Sequence, residues 1–167
     1  MQNPKRPNLV GAAGEHCVMC QLLRRGMIAA LAPQGVPNAD IVVTDDIGDR
    51  LCAIQVKTRR DIGSDRGWHM KAKHEGIVGE RLYYCFIDFG KALNDQPKCW
   101  VLPSAEVASI LKQSHQNWLM QPGKKGQDHK DGEMRRFRPD YSTLGIGATH
   151  GEGWLDPFFE AWHLLED

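Results

Sequence analysis

The stretch from residue 41 to 54 constrains the fold most. Ile41-Val42-Val43-Thr44, a polar turn Asp45-Asp46-Ile47-Gly48-Asp49 and Leu51-Cys52-Ala53-Ile54 read as strand, turn, strand. A hairpin symmetric about Ile47-Gly48 sets Ile41 against Ile54 and Asp40 against Gln55. Side chains alternate along a strand, so Lys57 shares the face of Gln55. Facing residues of an antiparallel pair touch, which brings the oxygens of Asp40 and Gln55 together. Read alone, Gln55 and Lys57 could be the exposed members of an ordinary alternating hairpin. Both faces of the hairpin are rich in Val, Ile, Leu, Cys and Ala, however, as in a strand covered on both sides, and a lysine at the end of such a strand needs a reason.

Upstream, residues 12–31 contain no proline and repeat apolar side chains at helical intervals, which predicts a helix. Val18, Met19 and Leu22 follow Glu15 at i+3, i+4 and i+7, so Glu15 belongs to the apolar face. A carboxylate there must be paired, hydrogen-bonded or close to a metal, unless it sits in a hydrated first turn and favours the helix dipole.

Gly14-Glu15, Asp40 and Gln55-Val56-Lys57 together resemble the PD-(D/E)XK nuclease superfamily, the fold of restriction endonucleases and Holliday junction resolvases. The resemblance covers residues 11–113 and includes Gly67-Trp68-His69-Met70-Lys71-Ala72-Lys73-His74-Glu75, residues 82–89 and Trp100-Val101-Leu102-Pro103-Ser104 in that order. It implies an α/β fold with a restriction-endonuclease-like core, a mixed central β-sheet flanked by helices. It also implies a metal-dependent phosphodiesterase acting on DNA. Asp40, Gln55, the backbone carbonyl of Val56 and Glu15 would hold Mg²⁺ or Mn²⁺, with Glu15, Asp40, Gln55 and Lys57 as the catalytic set. Two departures are visible: Pro37 is separated from Asp40 by two residues, Asn38 and Ala39, and Gln55 occupies a usually acidic position. An amide oxygen can ligate a hard cation but carries no net charge, which lowers affinity. The alternative from another functional class is a catalytically silent scaffold that binds DNA or a protein.

Net charge is zero, yet the charges are not spread evenly. Residues 57–73 hold six basic side chains against two acidic ones, and residues 124–138 hold six against three. The first run begins at Lys57, and Arg59, Arg60, Lys71 and Lys73 are its expected nucleic-acid contacts. RNA stays open as a substrate beside DNA, and a homodimer stays open as the assembly. No apolar run approaches the ~18 residues of a membrane span, and no export signal is seen. The cytoplasm is therefore the expected compartment. All five cysteines, including Cys17-Val18-Met19-Cys20, read as small core residues. His69 and His74 are expected to face solvent or phosphate.

A chain of 167 residues, 41% of them hydrophobic, suits one domain spanning residues 1–167. Residues 82–89 and 99–102 read as strands, and a helix follows through Lys112 with Ser104 as N-cap. Residues 113–153, rich in Gly, Lys, Gln and Asp, are expected to be long loops. A closing helix over residues 156–166 starts at Asp156-Pro157 and carries the apolar stripe Phe158, Phe159, Trp162, Leu165.

Overall fold

The computed structural model describes residues 7–33, 35–48, 51–62 and 67–166. Helix α1 (Pro7–Arg24) leads to strand β1 (Ile28–Leu31), the hairpin strands β2 (Ile41–Thr44) and β3 (Cys52–Arg59), and then β4 (Trp68–Lys71). Strands β5 (Leu82–Asp88) and β6 (Lys98–Pro103) follow, then α2 (Ser104–Met120), β7 (Met134–Phe137) and a short α3 (Gly147–His150). The central sheet has the order β1-β2-β3-β5-β6, with β3 and β5 parallel and every other neighbouring pair antiparallel. This is the expected mixed α/β architecture. The hairpin register is also as expected: Ile41 pairs with Ile54 and Val42 with Ala53.

Alternation along the strands divides the core in two. Ile54, Val56, Cys85, Ile87, Cys99 and Val101 meet Val18 and Leu22 of α1 on one side, together with Trp162 and Leu165. Tyr84, Phe86 and Leu102 face the other side, where α2 and a separate two-stranded ribbon of β4 and β7 cover them. Phe137 of β7 stacks on Phe86 with ring centres 3.9 Å apart, and Trp68 of β4 meets Phe86 edge-on at 5.2 Å.

Several elements differ from the sequence reading. The first helix stops at Arg24 instead of Leu31, because Gly26 adopts a left-handed conformation (φ 80°) and Met27 N–H turns back to the carbonyl of Leu22. Ile28–Leu31 then pairs with β2 as an edge strand. Ser104 does not cap α2 with its side chain; its hydroxyl accepts from Gly79 N–H and donates to Gly79 carbonyl, both at 3.0 Å. Residues 113–153 are not continuous loop: α2 runs on to Met120, and β7 and α3 lie within the stretch. The closing helix is two 3₁₀ turns, Asp156–Phe158 and Trp162–Leu165. Between them Glu160 has φ 51° and donates its N–H to the carbonyl of Cys99. Cys52, Cys85 and Cys99 are buried as expected, whereas Cys17 is half-buried and Cys20 is exposed. No described helix is long and apolar enough to cross a membrane.

Candidate functional site

Strand β2 ends before β3 does. The last paired residues are Ile41 and Ile54, with Asp40 N–H donating to Ile54 carbonyl at 2.8 Å. From there β3 continues to Arg59 with β5 as its hydrogen-bonded neighbour. Asp40 stands where β2 begins and that side of β3 opens. The chain enters β2 through Asn38 in a left-handed conformation (φ 61°), which Asn tolerates better than most residues. Asp40 carbonyl accepts from Ala32 N–H at 2.8 Å, so its backbone is held on both sides.

The Asp40 side chain is fixed as well. Its Oδ2 accepts the amide of buried Gln55 and, at 2.7 Å, the backbone N–H of Val56. Asp40 and Gln55 therefore lie on one face of the hairpin. The side chain of Val56 belongs to the opposite core layer. Lys57, two residues on, is half-buried; burial pulls its ammonium below the usual lysine range, the charge of Asp40 pulls it back up, and Lys73 and Glu15 follow with smaller and opposed effects.

Glu15 reaches this point from α1. Gly14 lets the helix approach β3, since a Cβ there would run into the side chain of Thr58. The next residue, half-buried Glu15, lies within electrostatic reach of Asp40 and Lys57. Burial raises its carboxyl above the ordinary range and the charge of Asp40 adds to this, against smaller opposite effects of His16 and Lys57. Two carboxylates, an amide and a strand carbonyl are all oxygen donors, a set suited to a hard divalent cation. Among the described residues no three His, Cys, Asp or Glu side chains gather as a metal-binding group, so a cation here would depend on the amide and the carbonyl.

The floor of the site contains two residues the sequence reading did not assign to it. Tyr84 stands beside Gln55 in the parallel register, and its hydroxyl lies 2.8 Å from Nδ1 of His74. His74 is thus buried, not facing solvent. Burial and the nearby lysines Lys57, Lys73 and Lys71 lower it to about 4, while burial and Asp40 raise Tyr84 to about 12. Both are neutral near pH 7. A β3–β5 pairing joins residues 29 apart, and no local pattern announces it.

The expected phosphate contacts divide. Lys71 and Lys73 are exposed on the same face of the sheet as Lys57. Arg59 is held inward: Nε and Nη2 donate to Asp88 Oδ2 at 2.9 and 2.7 Å, and the guanidinium lies 4.2 Å over the Trp68 ring. Arg60 donates to the carbonyl of Lys91. In the second basic run, Arg135 is buried against Glu75 and Asp131. Asp49, Asp65 and Arg66 lie outside the described residues.

No protein-family model matches the chain, and no curated protein does. Among solved structures it is similar to a nuclease. That protein is the bacterial homing endonuclease I-Ssp6803I, with a TM-score of 0.52 and 13% identity over 96% of this chain and 93% of that one. At that identity the likeness is one of fold: the α/β architecture around Asp40 is one that a nuclease adopts.

Proposed function

We propose that the chain is a divalent-metal-dependent DNA endonuclease of the PD-(D/E)XK type, with Gln55 in place of the second acidic residue. The observation that carries this reading is the convergence of Glu15, Asp40, Gln55 and Lys57, from a helix and two strands, where β2 gives way beside β3. The likeness to a homing endonuclease supports it. Asp40, Glu15, the Gln55 amide oxygen and the Val56 carbonyl would hold Mg²⁺ or Mn²⁺. The bound ion would polarise the scissile phosphate and make a water more acidic.

The side chains supply the rest. Val56 N–H and the Gln55 amide fix Asp40 before substrate arrives. Glu15, with its raised proton affinity, is suited to orient an attacking water and accept a hydrogen bond from it. Lys57 brings positive charge to the oxygens of the pentacoordinate phosphate, where charge develops in the transition state. The neutral Tyr84–His74 pair beneath adds no competing charge. Lys71 and Lys73 hold the flanking phosphates. Charge reversal at both should weaken binding to every DNA sequence and flatten its salt dependence. Unchanged affinity and slope would remove them from the interface.

One observation favours the silent scaffold: Gln55 turns its amide N–H₂, not its oxygen, toward Asp40. The two readings separate in cleavage of plasmid and branched DNA against Mg²⁺ and Mn²⁺ concentration. An endonuclease cuts as wild type, and Gln55→Glu preserves cutting or lowers the metal concentration it needs. Wild type inactive with either metal and activity gained in Gln55→Glu would make the natural protein a scaffold.

A further inference from the structure

We propose that His74 is a positioning residue: its hydrogen bond to Tyr84 ties the 3₁₀ turn that carries Lys73 to the sheet beside Gln55, so that the phosphate Lys73 holds keeps a set distance from the one that is cut. This rests on the endonuclease reading for the presence of DNA and of a cut phosphate. The turn, Ala72–Glu75, follows β4 without a side-chain cap. A single 3₁₀ turn has few internal bonds and little stability of its own, so its direction is set by what its side chains grip. Those side chains divide. Lys71 and Lys73 are exposed, whereas His74 is buried and Glu75 is half-buried. Glu75 accepts from Arg135 of β7, and Ala72 N–H donates to the carbonyl of Glu133 at 2.8 Å. Both bonds fasten the turn to the ribbon, which is a separate sheet from the one that holds β3 and β5.

His74 reaches the central sheet. Its Nδ1 lies 2.8 Å from the Tyr84 hydroxyl, which can donate or accept and so suits either tautomer. The two rings also meet edge-on at 5.8 Å, and Tyr84 stacks on Phe86 at 5.9 Å. Tyr84 is fully buried and neighbours Gln55 in the parallel register, as Phe86 neighbours Lys57. The turn is thereby anchored one strand away from two residues at the centre of the site. α2 packs on the turn as well, and the hydrogen bond adds the direction that apolar packing lacks. A leucine against Tyr84 would fill this apolar layer without a ring nitrogen to satisfy, so packing alone does not call for histidine. Charge gives the tie its purpose. Lys73 lies within electrostatic reach of both Lys57 and His74. Two ammonium groups at that range repel, and an untied turn would let Lys73 swing outward before DNA arrives. With the turn held, two like charges wait at a fixed separation for two phosphates of one strand. A misplacement of about 1 Å in such a clamp costs about a hundredfold in rate.

The test is a double-mutant cycle of Tyr84→Phe with Lys73→Ala in the full chain, read as the single-turnover cleavage rate at saturating duplex in Mg²⁺ and as duplex affinity in Ca²⁺. Tyr84→Phe keeps the ring and removes the hydroxyl. Alone it should lower the rate by about ten- to a hundredfold and affinity by only about threefold. Lys73→Ala should slow cleavage in wild type and add almost nothing in Tyr84→Phe, a coupling of about tenfold. His74→Leu should behave as Tyr84→Phe does, and His74→Asn, whose amide reaches the place of Nδ1, should recover most of the rate. In the free chain, amide exchange at Ala72 and Gly76 should quicken in Tyr84→Phe. Thermal melts followed by circular dichroism check that each variant is folded. Additive losses, a wild-type rate in Tyr84→Phe, or unchanged exchange would overturn the proposal. If wild type cuts and the losses are additive, the endonuclease reading stands without the tie. If wild type binds duplex without cutting it, the endonuclease reading fails and the cycle is read in affinity, where coupled losses keep the tie and additive losses end it. Absence of any binding ends both.

Discussion

Lys57 and Arg59 are two residues apart on one face of one strand, and the fold treats them in opposite ways. Arg59 is closed into a two-pronged ion pair with Asp88 under the Trp68 ring, so its charge is neutralised where it sits. Among the described residues no ion pair holds Lys57, which faces Asp40 and Glu15 across the opening left by β2. A partly buried cation among carboxylates that do not quench it is arranged for something that arrives later. Charge alone does not separate the two. Both belonged to one basic run in the sequence, and only the neighbour that β5 brings tells them apart.

The largest effect should come from the Lys57 end. Lys57→Met or Asp40→Asn is expected to lower DNA cleavage by about a thousandfold or more, with the circular dichroism spectrum of wild type retained. Retained activity would mean that the opening beside β3 is not where chemistry happens. Arg59→Ala should do the converse. Leaving nearly buried Asp88 without its partner costs about 3–5 kcal/mol in denaturant unfolding. The rate per folded molecule should change little. A cleavage defect without a stability loss would reverse the assignments of the two cations.

His74 gives a third, smaller effect. Its proton affinity is lowered on folding from 6.5 to about 4, so the folded state prefers it neutral. The stability this gives is present above pH ~6.5 and is lost as pH falls toward 4, up to about 3 kcal/mol at 1.4 kcal/mol per unit. Urea unfolding between these pH values should show the decline in wild type and a flatter profile in His74→Gln. Equal profiles would show that His74 is not held neutral beneath Lys57. Smallest is Glu15→Gln. The Glu15 carboxyl is raised on folding, so its charge weighs against the fold once pH rises above the ordinary carboxylate range. Without divalent ions the variant should melt slightly higher than wild type at neutral pH and at the same temperature near pH 3. A lower melting temperature at neutral pH would mean that Glu15 is stabilised by a partner other than the site.

What could be seen in the sequence was local. The pairing of β2 with β3 follows from one turn and a period of two, and with it the facing of Asp40 and Gln55. The apolar face of α1 at Glu15, Val18 and Leu22 follows from 3.6 residues per turn. The misses come from a few residues that overrule a pattern. Gly26 ends a helix whose apolar periodicity continues into a strand, and Glu160 breaks a stripe that would otherwise be one helix. β7 was hidden because Arg135 occupies an inward position where an apolar residue is expected, made tolerable there by Glu75. The Tyr84–His74 floor and the Asp88 partner of Arg59 depend on long-range pairing, which composition and spacing do not encode.

Asp40 is the proposed anchor of a divalent-cation site facing Lys57. Titration calorimetry of Mg²⁺ and Mn²⁺ into the folded chain, repeated on Asp40→Ala, tests this most directly. Saturable heat in wild type that disappears in Asp40→Ala, with the dichroism spectra superimposing, is the expected result. No binding in wild type, or binding that survives in Asp40→Ala, would contradict it.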